Sequence, residues 1–389
     1  MFFVDKPFVS DFLKQTIKDY HIAVVATDVS KELGLYSETR LISKAGAIVR
    51  AQEQKNPIVY MNSENAINWV SEHLVCCDLP EKINLFKDKL KFRNLTQALY
   101  PDFTFKGVLV EDLQDVQFAH LPLPFIIKPT VGFFSMGVYK VTSRDEWQNT
   151  VDLITAEIEQ VKDLYPKEVL DTSTFIIEQC INGEEFALDA YFDADGEPVI
   201  LSIFKHSFSS DDDVSDRVYT TSKEIIENNL VEFTEFVAKI GQLADVKNFP
   251  VHVELRRDTD GVLLPIEVNP MRFGGWCTTA DMSFFAFGFN QYHYYHSQLK
   301  PNWSELLKNK GGQLFSIIVL DNSTGVAADK ITSFNYDKLL SKFTKPLELR
   351  KIDYKQYPVF AFLFVQTKAS DSTELKYILD SDLREFIST

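Results

Sequence analysis

The chain has 389 residues, 45% of them hydrophobic and 25% charged, enough apolar material for two or three subdomains with real cores. Its formal charge of -16 and pI near 4.9 exclude the basic surface that wrapping nucleic acid demands. The longest apolar runs, such as Pro358 to Val365, fall well short of the roughly 20 residues that span a bilayer, so no membrane partner is expected.

The opening MFFVDKPFVSDFL carries Asp5 and Asp11 where a leader would carry basic residues, and is not expected to be a signal peptide. After a short helix candidate, His21 to Asp28 and Pro57 to Met61 read as buried strands, with Ser63 capping a helix through Val70. The first 85 or so residues therefore read as an open α/β layer. No glycine-rich dinucleotide fingerprint follows either strand, which argues against a nicotinamide cofactor.

A basic helix is expected from Lys87 to about Leu99. Pro124 to Pro129 (PFIIKP) is a strand broken by Lys128, and a charge inside an apolar strand needs a partner. Gly132 and Gly137 bound a loop with Ser135 between them, able to turn N–H groups and a hydroxyl towards phosphate, although such loops are also common in plain hairpins. Ser143 to Leu164 has the spacing of an amphipathic helix, Thr174 to Glu178 that of a strand, and Phe186 to Phe192 with Pro198 to Lys205 that of a hairpin. The acidic stretch Ser207 to Thr221 precedes a helix from Ser222 to about Leu243.

Two Val/Leu/Ile-rich runs then flank Asp258-Thr259-Asp260-Gly261. A two-residue turn at Asp260-Gly261 would set Glu254 opposite Glu267 and His252 opposite Asn269 on one face, with Val251, Val253, Leu255, Ile266 and Val268 on the other. Like charges directly opposite repel, so a cation is expected between them; magnesium suits two carboxylates that leave positions free for phosphates, with Asn269 able to add a neutral oxygen. A solvated acidic hairpin has the same pattern. What favours a site is the following Asn269-Pro270-Met271-Arg272-Phe273-Gly274-Gly275-Trp276, a cation and two glycines placed to approach an anion. Beyond it lie a dense aromatic core segment, strands at Leu314 to Leu320 and Val359 to Thr367, and a closing helix from Ser372 to Phe386. Cys76, Cys77, Cys180 and Cys277 show no C-x-x-C spacing, and reduced thiols in the cytoplasm are expected.

The order HVELR, IEVNP and R-x-GG resembles the metal-binding end of the ATP-grasp superfamily, in particular its carboxylate-amine ligases. That resemblance covers roughly Lys87 to Ala286 and implies an α/β fold with α+β elements. The expected order is an N-terminal α/β domain (1–86), a lid subdomain (87–180), a large antiparallel-sheet subdomain with the metal site (181–300) and a C-terminal α+β cap (301–389). It implies ATP with magnesium, or manganese in its place, on Glu254, Glu267 and Asn269, and Arg272 on the acyl phosphate or substrate carboxylate. Lys89, Lys128, Ser135 and Gly137 would face the nucleotide phosphates, as would Lys205. Glu178 with the hinge Gln179, Cys180 and Ile181 would hold adenine, and Glu185 the ribose. Met271 departs from the N-P-R order of many members and lies just before the arginine. The implied activity is ligation of a small carboxylate to an amine or thiol through an acyl phosphate; a nucleotide-binding protein without ligation, and a phosphotransferase, are the rival readings. RFGGW is similar to the matching stretch of L-amino acid ligases, and a homodimer is left open.

Overall fold

Four strands of two residues, β1 (Phe2–Phe3), β2 (Val24–Val25), β3 (Leu41–Ile42) and β4 (Tyr60–Met61), pair in parallel in the order β3-β2-β1-β4. The computed structural model describes residues 1–132, 137–161, 171–210 and 215–389. β1, β2 and β4 are apolar and buried, as strands covered on both faces must be. The two expected runs contain β2 and β4, whereas β1 and β3 are too short to announce themselves. Ser63 caps as expected: its Oγ accepts from Asn65 N at 3.2 Å, and the helix Ile67–His73 follows.

The expected basic helix is shorter, Lys89–Thr96, and a helix that was not expected precedes it. Leu79–Lys87 ends at Asp88, which leaves helical geometry and accepts from the N–H of Leu90 (3.0 Å) and Lys91 (3.1 Å) to start Lys89–Thr96. Lys89 therefore sits at the first position of a capped helix.

The sheet of the expected lid is antiparallel, with β5 (Phe105–Leu109), β6 (Phe125–Val131), β7 (Tyr139–Val141) and β8 (Asp171–Gln179) in the order β5-β8-β6-β7. Val108, Phe125, Ile127, Phe175 and Ile177 on one face pack on Trp147, Val151 and Ile154 of the helix Arg144–Val161. Alternation puts Lys128 and Glu178 on the other.

The large sheet begins with β9 (Glu184–Phe192), β10 (Pro198–Ser207) and β11 (Val218–Thr221). The helix Lys223–Ala244, capped by Ser222, leads into β12 (Phe249–Arg257) and β13 (Leu263–Pro270). Then come β14 (Gln313–Asp321), β15 (Ser333–Phe334), β16 (Pro346–Lys351), β17 (Val359–Lys368) and β18 (Ile387–Ser388). Eight of these form one sheet, β13-β12-β9-β10-β11-β14-β17-β16, while β15 and β18 pair separately. The strands expected in a C-terminal cap thus extend the large sheet. The expected closing helix covers only Thr373–Leu379, because Leu383 takes a left-handed conformation (φ 63°) before a single 3₁₀ turn.

Candidate functional site

Glu254 does face Glu267, and His252 faces Asn269, by a route different from the expected turn. The reversal is a three-residue loop, Thr259 to Gly261, closed by Asp258 N–H donating to Val262 O at 2.9 Å, with Gly261 at φ 81°. That loop alone would shift the pairing by one residue and carry Glu267 to the far face. An irregularity between Glu254 and Leu255, where Leu255 pairs with Pro265 instead of Ile266, restores it. Val251, Val253, Leu255 and Val268 line the core as expected, whereas Ile266, the extra residue, packs against a separate cluster of Phe103, Ile181 and Leu264.

Three side-chain rows cross the strands on the site face: Asp189, His252 and Asn269; Ala187, Glu254 and Glu267; Glu185 and Arg256. Asp189 is fully buried and accepts from His252 Nδ1 (2.8 Å), Ser202 Oγ (3.1 Å) and Gly274 N–H (2.9 Å). Glu185, expected at the ribose, is met by His206 Nδ1 at 2.8 Å and accepts from Arg256 Nε at 2.8 Å; despite burial, His206 and Arg256 keep its carboxyl below the usual range. Lys205 is a correction. Its neighbour His206 points to Glu185, so Lys205 points to the opposite side of the sheet, 42% exposed and paired with Glu184.

Basic groups converge on the carboxylates from the helix and the lid. Lys89 Nζ lies 3.0 Å from Glu267, and Lys128 Nζ 2.7 Å from Glu178, whose other oxygen accepts from Arg93 Nε at 2.6 Å. Both oxygens of Glu178, expected at adenine, are therefore engaged by side chains. Burial would raise its pKa, but Arg93 and Lys128 hold it down at about 2. Glu64, just beyond β4, is buried and accepts Arg272 Nε at 3.0 Å and Nη2 at 2.9 Å on one oxygen and Lys87 on the other. Against the same burial penalty, Lys87 and Arg272 keep Glu64 at about 2. Lys87 also donates to Gly132 O at 3.2 Å.

The facing carboxylates divide. Burial opposes ionisation of both, but Lys89, Lys128 and Lys87 hold Glu267 far below the usual carboxylate range. Burial and then the Glu267 charge push Glu254 well above it. Asn269 spans them, its Nδ2 donating at 3.0 Å to Glu267 and reaching Glu254 at 3.5 Å. Turned over, the amide would offer Oδ1 to a cation instead. Among the described residues no three His, Cys, Asp or Glu side chains form a closed metal cage. Two carboxylates and an amide are the sparse set that magnesium takes when phosphates complete its shell.

Met271 is fully buried at φ 65°, its N–H donating to Pro250 O (2.7 Å) and its carbonyl accepting from Met61 N–H (2.8 Å). This bend delivers Arg272 to Glu64. Gly274 is required, since a Cβ there would lie 2.3 Å from Thr279 Oγ1. Gly137 (φ 68°) backs onto Pro129, and Ser135 lies outside the described residues. Of the hinge, Gln179 and Cys180 donate backbone N–H groups to Thr104 O and Pro124 O, and Ile181 lies in the Phe103–Leu264 cluster. A cavity of about 460 Å³ lined by Lys106, Asp115, Gln117 and His120 lies beside Ile177, on the helix-packed face of the lid sheet, away from Lys128.

Glu64, Lys87, Arg93, Asp189 and His206 were missed. Asp189 had a readable signal, a lone acid in the apolar FALDAYF, and Glu64 lies beyond the C-terminal end of a parallel strand, where open α/β sheets bind ligands.

Residues 121–280 match the family described as ATP-grasp domain. Among solved structures, an L-amino acid ligase from Bacillus licheniformis superposes with a TM-score of 0.70 at 16% identity, covering 100% of this chain and 97% of that one. N5-carboxyaminoimidazole synthase from Aspergillus clavatus, solved with ADP and 5-aminoimidazole ribonucleotide, gives 0.63 at 11% identity, covering 99% and 98%. Biotin carboxylase from Campylobacter jejuni gives 0.60 at 12%, covering 94% and 87%. These likenesses establish a shared fold. A search of curated proteins by sequence finds no match.

Proposed function

From the premise that residues 121–280 are an ATP-grasp domain, we propose that this protein is an ATP-dependent ligase joining a small carboxylate to an amine. The observation that carries the reading is Glu254 facing Glu267 with Lys89 at 3.0 Å from the latter and the arginine of the R-F-G-G turn alongside. Glu254, Glu267 and Asn269 would hold magnesium; burial and then the facing Glu267 charge raise the Glu254 pKa strongly, and a divalent ion would offset both. When bound, magnesium supplies positive charge to the nucleotide phosphates.

The carboxylate oxygen attacks the γ-phosphorus, ADP leaves, and the amine nitrogen then attacks the acyl carbon as phosphate departs. Lys128 and Lys89 take up phosphate charge, and Arg272 orients the carboxylate and its acyl phosphate. Glu178 acts here by aiming Lys128, and since the Gln179 and Cys180 N–H groups are bonded to Thr104 O and Pro124 O, the hinge would meet adenine mainly through the apolar cluster of Phe103, Ile181 and Leu264. Glu185 and His206 face the ribose. Similarity to an L-amino acid ligase makes an amino acid the first acid to try. The four free thiols agree with a reducing compartment.

The test is release of ADP and phosphate from MgATP over pooled acids and amines, with mass spectrometry of the product. Release that requires both acid and amine supports ligation. ADP without free phosphate would make it a phosphotransferase, and ATP binding without turnover would make it a nucleotide-binding protein.

A further inference from the structure

We propose that Glu64 is a positioning residue that occupies one side of Arg272 and leaves a pair of N–H groups to grip a planar carboxylate, an assignment that rests on the ligase reading above. A guanidinium carries five N–H donors. Arg272 gives Glu64 one from Nε (3.0 Å) and one from Nη2 (2.9 Å), and gives Phe273 O one from Nη1 (3.0 Å). Two remain without a partner among the described residues, one on each terminal nitrogen, and such a pair matches the two oxygens of a carboxylate. Glu64 is itself held in place, since Lys87 occupies its second oxygen and Gly132 O steadies Lys87. The substrate class this selects is a carboxylate offered edge-on, with the N-terminal sheet supplying the residue that aims its receptor.

The measurement uses the full-length protein and an equimolar mixture of the twenty amino acids as probe, followed by ADP release. Glu64→Gln should raise the half-saturating probe concentration by ~10- to 100-fold, the range for a lost charge-assisted hydrogen bond, while MgATP affinity stays within about twofold. Glu64→Asp, which keeps the charge, should recover part of the loss. Combined with Arg272→Lys, Glu64→Gln should add little further loss, because both act on one group. Losses that multiply, or equal losses for probe and MgATP, overturn the assignment. If the unaltered protein releases no ADP with any acid, the ligase reading falls, and the Glu64 assignment is decided by NMR. The arginine Nε–H signal that disappears in Arg272→Lys should shift in Glu64→Gln, and a signal that stays put overturns it.

Discussion

Glu254 and Glu267 are chemically identical and face each other, yet Lys89 touches only one. Glu254→Gln removes a repulsion and should raise the melting temperature of the metal-free protein by the equivalent of roughly 0.5–1 kcal/mol. Glu267→Gln strands Lys89 and should lower it by about 1–3 kcal/mol. Both should cost acid-dependent turnover on the order of 100-fold or more. Thermal melts with and without MgATP, beside ADP-release rates, separate the effects; the same direction of melting shift in both variants would contradict the asymmetry. At this scale the sequence was readable where a charge interrupted an apolar strand, as at Lys128. It was unreadable where the partner came from far along the chain: nothing near Glu178 announces Arg93, 85 residues away, as its counter-ion.

Strand alternation decided which residues of each element entered the site. Lys205 and His206 are adjacent, and the choice between them depended on the parity of β10, which an irregularity between Ile200 and Ser202 resets. Lys205→Ala should leave the KM for MgATP within about twofold, whereas His206→Ala should raise it ~10-fold by leaving Glu185 held only on its Arg256 side. A larger effect at Lys205 would contradict the facing. The hairpin of Glu254 and Glu267 shows the same limit. Its pairing was foreseen because the acidic and apolar periods agree, but a three-residue loop and a compensating bulge produce it together, and neither has a period of its own. In the adjoining turn, Gly274→Ala should destabilise by about 1–3 kcal/mol in a denaturant melt, because Thr279 is already within reach of the missing methyl.

Across the molecule, buried ion pairs join units that share no sheet. Glu64 ties the N-terminal sheet to the turn after β13, and Glu178 ties the lid to the helix Lys89–Thr96. Both have folded pKa values of about 2 against an ordinary 4.5, so each contributes stability that is present above pH 4.5 and is lost as pH falls towards 2. Melting temperature should drop through that window, and Glu178→Gln should start lower and fall less steeply. Nucleotide should act in the opposite sense: MgATP at ~100 times its Kd should add about 2.7 kcal/mol, and ATP with a chelator much less. β2, β4, β6, β7, β8 and the facing of Glu254 and Glu267 were legible because each is a local period, whereas β1, β3 and β5 gave no such signal. The joining of β14, β17 and β16 to the large sheet was not legible, because edge-to-edge pairing leaves no trace in spacing.

Met271 spends both of its backbone groups on other strands, one on Pro250 and one on Met61. That single residue works as a rivet through two sheets, with the guanidinium of the next residue fastened beside it. A tilt of the N-terminal unit would drag Arg272 along, so under the proposed reaction any opening to nucleotide would fall to the four-stranded sheet carrying Lys128.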